Sequence, residues 1–308
     1  MRYIVFPFFL ICLSLFSCTG QAQQKVETKV EPVKQRSFVL PEIPLMLDTP
    51  AARATFLAQH YWDHFDFADT AYIHLPDITE QAIVNFMDLM QHVSEKDAET
   101  AIGVLYEKAA PHSSMLWHFW ETMSRYWKDA NSPIRNEELF IKMCRQIESV
   151  PQVEEVLKQR AAYSRQLVEK NRVGQPATDF VYTLESGKQG RLYGLKAAYT
   201  LVFFYNPDCH TCGEIKEVMK KSLLLKDLVS KGQLKILTLY PDEDVQLWKS
   251  HLHEMSNEWI NAYDKGQVLT LEHLYDLSAI PSFYLLDKDK KVLLKDVDWM
   301  DVQRFFAK

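Results

Sequence analysis

Residues 206–212 read NPDCHTC and directly follow the apolar run TLVFFY at 200–205. The run is typical of a buried β-strand, and residues 214–229 have the spacing of an amphipathic helix. The sequence therefore predicts that Cys209 and Cys212 lie on the first turn of a helix that follows a strand. Two thiols at this spacing can close and reopen a disulfide, and the unpaired N–H groups of a helix N-terminus stabilise a thiolate. The stretch predicts thiol–disulfide exchange.

The composition is that of an ordinary soluble protein. The 308 residues are 47% hydrophobic and 25% charged, and the formal net charge is −6. This length gives room for about two domains. The mild acidity and the lack of a basic cluster argue against a nucleic-acid or anionic-membrane surface, so no nucleic-acid partner is predicted.

Residues 1–18 have the pattern of a secretory signal. One positive charge precedes the apolar residues 3–16, which are short for a membrane-spanning helix. The end of this segment, LFSC at 15–18, resembles a bacterial lipobox, in which cleavage precedes a cysteine that carries lipid. The resemblance implies that Cys18 is lipidated and that the protein is anchored in the cell envelope, facing the periplasm. Ordinary cleavage after residues 20–22 is the alternative.

Two regions follow the signal. Residues 19–45 are rich in Gln, Lys, Glu and Pro without apolar periodicity, which predicts a flexible tether. Residues 46–170 predict an all-helical domain, because apolar residues recur at spacings of three and four between capping residues and prolines. The six predicted helices are 51–64, 80–91, 95–109, 115–128, 137–148 and 152–170.

The spacing of apolar residues changes in residues 171–308 and predicts strands that alternate with helices. The predicted strands are 179–184, 191–193, 200–205, 234–240, 282–286 and 292–294, and the predicted helices are 210–230, 242–254, 267–275 and 298–306. This order predicts an α/β sheet with parallel pairs that ends in a hairpin. The expected fold class is therefore an all-helical domain followed by an α/β domain.

A second motif completes the predicted site. Residues 279–287 read AIPSFYLLD, and a proline that opens an interior strand is unusual without a positional role. Together with YNPDCHTC at 205–212, this motif resembles the thioredoxin fold. The resemblance implies that the bond before Pro281 is cis, that Pro281 faces the cysteines, and that the backbone of Ile280 pairs with an extended partner segment.

Further segments narrow the resemblance. GQPATDF at 174–180 resembles the opening segment of the thiol–disulfide proteins related to peroxiredoxins, and YPDED at 240–244 with Trp248 is similar to an extra segment of that branch. The helical region resembles a domain of unknown function that is fused to thioredoxin-like domains in Bacteroidota lipoproteins. The thioredoxin-like domain is thus expected to span residues 171–308.

The two cysteines have different predicted roles. Cys209 precedes the helix and is expected to be the more exposed nucleophile, whereas Cys212 is expected to resolve the mixed disulfide. Asp208 should raise the pKa of Cys209 by charge repulsion, and protonated His210 should lower it, as should the helix terminus. A modestly depressed pKa is expected for Cys209. A solvated loop residue without a tuning role is the alternative for His210.

The chain departs from cytosolic thioredoxins at Phe203. Those proteins place a buried acid six residues before the first cysteine and are usually assigned a proton transfer through it. Its replacement by Phe203 leaves the base for Cys212 unassigned. Glu214 and Glu217 are close in sequence, but both are expected on the solvated face of the helix.

Zinc binding and peroxidase chemistry are the other functions that a cysteine pair could have. Zinc needs about four ligands, and neither a second CxxC nor a suitably spaced His pair is present, with Cys144 in the other domain. Peroxiredoxin-like sites resemble an arrangement with Thr or Ser three residues before the cysteine, where this chain has Asn206. Neither a metal nor a peroxidase site is therefore predicted.

The sequence predicts a thiol–disulfide oxidoreductase of the envelope. No organic cofactor is needed, because the dithiol carries two electrons. The expected partners are cysteine-containing envelope proteins and an upstream membrane dithiol relay, and the resemblance favours reduction of the former. A disulfide oxidase or isomerase, or a partner-binding scaffold with little redox turnover, are the alternatives.

Overall fold

The computed structural model describes residues 36–307, and six α-helices form the first part of that range. A 3₁₀ turn at Thr70–His74 separates the first two. The helices are α1 Pro50–His60, α2 Thr79–Leu89, α3 Glu95–Ala109, α4 Ser113–Lys128, α5 Glu137–Ser149 and α6 Glu155–Val168. All six correspond to predicted helices, and α3 matches its prediction at both ends.

Local capping explains where these helices begin. The hydroxyl of Ser94 accepts from the amide of Asp97 at 3.1 Å, and Thr49 caps α1 with Pro50 at the first helical position. Thr79, which directly precedes the predicted helix 80–91, does not cap α2, because its buried hydroxyl donates to the carbonyl of Tyr72 at 2.8 Å. The start of α2 is therefore set by a tertiary contact.

The helical part encloses one aromatic core. Trp62 lies at its centre, with its ring 4.9 Å from that of Phe119 and 5.5 Å from that of Phe86. Phe38, at the end of the predicted tether, also contacts this core, with its ring 5.0 Å from that of Tyr61. The chain is thus already packed at Phe38, before the predicted domain start at residue 46. The domain boundaries stay a prediction.

Residues after α6 form a seven-stranded mixed sheet with flanking helices. Its strands are β1 Val181–Leu184, β2 Gln189–Arg191, β3 Tyr199–Phe204, β4 Leu234–Tyr240, β5 Ile260–Tyr263, β6 Ser282–Asp287 and β7 Val292–Val297. The order across the sheet is β2-β1-β5-β4-β3-β6-β7. The pairs β3–β4 and β4–β5 are parallel, and β6–β7 is the closing antiparallel pair. The predicted class, helical followed by mixed α/β, is confirmed.

The helices around the sheet differ from their predictions in extent. They are α7 His210–Lys221, α8 Leu223–Ser230, α9 Val245–Ser250, α10 Val268–Leu271 and α11 Trp299–Phe306, with 3₁₀ turns at Leu192–Gly194 and Leu252–Glu254. The single helix predicted over 210–230 is broken at Ser222, whose hydroxyl accepts from the amide of Leu225 at 3.3 Å. The strand β5 was not predicted at all.

Alternating side chains of β3 supply both cores of the α/β part. Leu201 and Phe203 face one core together with Cys212 of α7, while Val202 and Phe204 face the other. All four are completely buried. Successive side chains of a strand point to opposite faces. Because this central strand is covered on both faces, its side chains from Leu201 to Phe204 are all apolar and the run is continuous.

A buried ionic network joins the helical part to the sheet. Arg135, before α5, contacts the carboxylate of Asp296 in β7 at 2.9 Å and donates to its backbone carbonyl at 3.0 Å. Lys295 contacts Glu137 at 2.8 Å and donates to the carbonyl of Val168 at 2.6 Å. Residues Ser37–Lys308 form one compact unit, and this network is a main reason that the two parts stay together.

Two findings bear on the N-terminal predictions. Residues 1–18, including the proposed lipid site at Cys18, and most of the predicted tether lie outside the described residues. Within residues 36–307, no helix combines the length and the apolar character needed to cross a bilayer.

The Arg135→Met variant should be strongly destabilised, because the buried carboxylate of Asp296 would lose its cationic partner, whereas Glu137 would keep Lys295. The side chains of Arg135 and Asp296 are 17% and 5% exposed, and removing one partner of such a pair costs about 3 kcal/mol. Urea unfolding followed by circular dichroism measures the loss of unfolding free energy.

The matched control is Arg172→Met. Arg172 contacts Glu138 at the same junction at 2.6 Å, but these side chains are 35% and 61% exposed. Removing this contact should lower the free energy of unfolding by less than about 1 kcal/mol. Equal losses of unfolding free energy in the two variants would contradict the claim that the contact of Arg135 with Asp296 stabilises the junction more than an exposed ion pair does.

Candidate active site

A tight turn carries the chain from β3 to the first cysteine. The amide of Cys209 donates to the carbonyl of Asn206 at 3.1 Å, which closes a β-turn with Pro207 at its second position. The side-chain oxygen of Asn206 also accepts from the amide of Asp208 at 2.8 Å. The NPDC sequence is thus a turn that sets Cys209 directly above the carboxyl end of β3.

Cys209 is the N-cap residue of α7. Its sulfur accepts from the amide of Cys212 at 3.2 Å, in the way that a capping oxygen accepts in other helices. A negative charge on this sulfur would gain from that hydrogen bond and from the positive end of the helix dipole. The helix therefore favours the thiolate that disulfide exchange requires.

Cys212 lies one turn further and is buried, with 2% of its surface exposed, whereas Cys209 is only half-buried. The predicted difference in exposure is therefore present. Burial raises the pKa of Cys212 to about 12, and the hydrogen bond with the side chain of Cys209 adds to the effect. The inner thiol keeps its proton at neutral pH.

The loop before β6 forms the second wall of the site. The peptide bond between Ile280 and Pro281 is cis, as the resemblance implied. The carbonyl oxygen of Ile280 lies 3.8 Å from the sulfur of Cys209, within reach of a weak S–H hydrogen bond. The structure thus brings together Cys209, Cys212, Ile280 and Pro281, while their catalytic and substrate-binding roles stay predictions.

His210 stands apart from this group. Its side chain is 87% exposed and lies 3.8 Å from the carboxylate of Glu214 on the next turn. The structure places it at the rim of the site, and its tuning role stays a prediction.

Phe203 occupies the position at which cytosolic thioredoxins place a buried acid. Phe203 is fully buried and stacks on Phe283 of β6, with ring centroids 4.6 Å apart. Glu214 points to His210, and Glu217 contacts Lys220 at 2.9 Å on the outer face of α7. The expectation that both glutamates are solvated is therefore correct, and the base for Cys212 is still unassigned.

Sequence reasoning missed two residues that support the site. The amide nitrogen of Asn206 donates to Asp242, after β4, at 2.7 Å and so ties the cysteine turn to the neighbouring loop. Ser282, next to Pro281, donates to the buried carboxylate of Asp296 at 2.6 Å. Only turn propensity marked Asn206 in the sequence, and no local signal marked Ser282.

Cys144 lies in the helical core, away from this chemistry. It is completely buried, and burial raises the pKa of its thiol well above the usual value. Across residues 36–307, His, Cys, Asp and Glu form no cluster of three or more that could hold a metal ion.

Comparisons with known proteins agree with both parts of the chain. Residues 16–171 match the domain of unknown function DUF5106, and residues 197–292 match a thioredoxin-like family. The crystal structure of a thioredoxin-like protein from Bacteroides caccae is 42% identical, with a TM-score of 0.78, over 89% of this chain and 99% of that one.

Curated relatives carry an activity in their names. Thiol-disulfide oxidoreductase ResA of Bacillus thuringiensis is 30% identical over 125 residues, which are 41% of this chain and 69% of the relative.

A second solved structure is similar to the C-terminal part of the chain. It is the C-terminal domain of an uncharacterized protein from Bacteroides fragilis, and it is 46% identical over 45% of this chain and 99% of that one, with a TM-score of 0.44.

The inner thiol should resist modification in the Cys209→Ser variant. Because the pKa of Cys212 is raised to about 12, its alkylation by iodoacetamide should rise about tenfold per pH unit without a plateau below pH 10. Peptide mapping by mass spectrometry separates Cys212 from Cys144. A rate that levels off between pH 7 and 9 would contradict the raised pKa.

Proposed function

Since the chain belongs to the DUF5106 family and to the thioredoxin-like thiol–disulfide oxidoreductases, we propose that it reduces disulfides of partner proteins through Cys209 and Cys212. One observation carries the proposal. The sulfur of Cys209 caps α7, 3.2 Å from the amide of Cys212, and faces the carbonyl of Ile280 at 3.8 Å. In the proposed reaction, the sulfur of Cys209 would attack, the thiol of Cys212 would resolve the mixed disulfide, and the backbone of Ile280 would hold the partner.

The exchange would proceed in two balanced steps. The thiolate of Cys209 attacks one sulfur of a partner disulfide, and the other partner sulfur leaves as a thiolate that takes up a proton. Cys212 then loses its proton and attacks Cys209, which closes the internal disulfide and releases the second partner thiol. The partner gains two electrons, and the dithiol loses them.

The reducing direction is supported by the resemblance to family members that keep envelope cysteines reduced. Strong oxidants of this class are oxidising because their reduced form is stabilised. A protonated Cys212, whose pKa burial raises to about 12, adds no such stabilisation near neutral pH.

The proposed setting is the cell envelope. Residues 1–18 would direct export, lipid on Cys18 would anchor the protein, and the folded part would face the periplasm. Its partners would be cysteine-containing envelope proteins, and a membrane dithiol relay would return electrons to the Cys209–Cys212 disulfide. The sequence pattern at residues 15–18 supports the proposed lipid anchor.

The purified protein should reduce insulin with dithiothreitol as electron donor, and Cys209→Ser should lower the rate to the uncatalysed value. The reason is that the variant lacks the only half-exposed thiol of the described chain. Precipitation of the insulin B chain measures the rate. Cys144→Ala is the matched control and should keep the wild-type rate, since that thiol is buried elsewhere.

Two outcomes would overturn this function. Equal rates for the wild type and Cys209→Ser would show that the dithiol does not turn over. Partner capture that survives the same substitution would then favour the alternative, a partner-binding scaffold.

The reduction potential of the Cys209–Cys212 couple decides the direction of electron flow. We expect a value near that of thioredoxin, roughly −270 mV, measured by equilibration with glutathione and mass spectrometry. A value near roughly −120 mV, typical of strongly oxidising periplasmic enzymes, would instead assign an oxidase.

A further inference from the structure

Two cavities lie on either side of the segment that precedes Pro281. The first has a volume of about 360 Å³ and is lined in part by Asp242, Asp276 and Ile280. The second has a volume of about 380 Å³ and is lined in part by Ser278 and Ala279. The carbonyl of Ile280 lies 3.8 Å from the sulfur of Cys209, so Ile280 connects the first cavity to the cysteine site.

The helical part supplies the opposite wall of both cavities. Lys128, the last residue of α4, lines each of them, and Leu167 of α6 lines the first. Arg125 and Asp129 line the second. We refer to the two cavities and the segment 276–280 between them as the junction cleft. The domain of unknown function thus contributes Lys128 and Leu167 to the wall of the cavity that Ile280 also lines.

Several contacts hold this wall in place. In addition to the pair of Arg135 with Asp296, Lys170 donates to the carbonyl of His273 at 2.7 Å, and Asn171 donates to the carbonyl of Leu274 at 2.8 Å. These contacts immediately precede Tyr275 and Asp276 of the cleft. The cleft is therefore a fixed feature of the fold and requires no closure of one part on the other.

The charged side chains of the junction cleft differ in their direct hydrogen-bond and ion-pair partners. Asp242 accepts from Asn206 at 2.7 Å, Asp276 from the amide of Ser278 at 3.1 Å, and Asp129 from the amide of Asn131 at 2.8 Å. Arg125 contacts Glu80 at 2.7 Å.

Lys128 has no such partner. Its ammonium makes no hydrogen bond or ion pair with any residue of the described range, although its charge helps to hold the pKa of Asp276 below the usual value against the raising effect of burial. A half-buried cation without a direct partner favours a carboxylate from outside.

We propose that the junction cleft binds the segment of a partner protein that flanks the reacting cysteine, and that Lys128 pairs with an acidic side chain in that segment. The proposal rests on the proposed disulfide exchange and assigns the domain of unknown function a share in substrate selection. An extended segment held at Ile280 has the cleft as its neighbouring surface, so an Asp or Glu a few residues from the cysteine reaches Lys128.

The test uses peptides whose single cysteine carries 5-thio-2-nitrobenzoate. In the Cys212→Ser background, Cys209 attacks the peptide sulfur, a disulfide forms between them, and the coloured thiolate leaves. Two peptide series place Asp or Asn at each of the three positions before and after the cysteine. The ratio of second-order rate constants, Asp over Asn, measures acidic selectivity with the same leaving group in every peptide.

At its best position, the Asp peptide should react about fivefold faster than the Asn peptide. The ratio should fall to about one in Lys128→Met, drop below one in Lys128→Glu, and shrink in the original protein at high salt. Lys96→Met is the matched control, because Lys96 belongs to the helical part but lines neither cavity. It should keep the wild-type ratio. A ratio unaffected by both Lys128 variants overturns the proposal.

A second measurement separates this proposal from the proposed function. Binding of the same peptides, with serine for cysteine, to the Cys209→Ser/Cys212→Ser protein is measured by calorimetry with and without Lys128→Met. Exchange with no charge-dependent binding would refute the cleft alone. Selective binding without exchange in any peptide or in neutral hydroxyethyl disulfide would refute the redox function and leave the cleft as a binding site.

Discussion

Phe204, the last residue of β3, lies opposite Ser282, the first residue of β6, in an antiparallel ladder. Both strands are buried on two faces, so a slip of one residue would turn their side chains to the wrong cores. The register is therefore strongly specified, and the turn after β3 must meet the loop before β6. Cys209 and Ile280 are 71 positions apart in the chain, yet their sulfur and carbonyl oxygen lie 3.8 Å apart for this reason.

The helical part is tied to the same point. Arg135 contacts Asp296 at 2.9 Å, and Asp296 accepts from Ser282 at 2.6 Å, directly after Pro281. Burial raises the pKa of Asp296 above its ordinary value, and the guanidinium of Arg135 opposes this rise. The domain of unknown function is thus joined through the half-buried Arg135 and the buried Asp296 and Ser282 to the loop that faces Cys209. It supports the site physically as well as lining the cleft beside it.

Phe203 stands near the thiol pair where cytosolic thioredoxins place an interior acid. Phe203 fills that space and stacks on Phe283 of the facing strand. Burial raises the pKa values of Cys212 and of its neighbour Tyr205. The negative charge of Glu254, which forms an ion pair with Lys216, raises the pKa of Tyr205 further. The interior near the cysteines therefore favours neutral groups. In the proposed exchange, such a site would retain the proton of Cys212 until the mixed disulfide has formed.

Local signals in the sequence determined much of this protein. The periodicity of residues 95–109 and the cap at Ser94 predicted α3 at both ends, and the CxxC after an apolar run placed Cys209 at a helix N-terminus. The strand β5, the break at Ser222 and the part played by Arg135 were decided only in the tertiary structure. Residues 260–263 become a strand because β1 and β4 pair with them, and Arg135 meets Asp296 across 161 positions. Helical period and capping act within a few residues, whereas strand pairing, burial and ion pairs depend on neighbours that only the folded chain supplies.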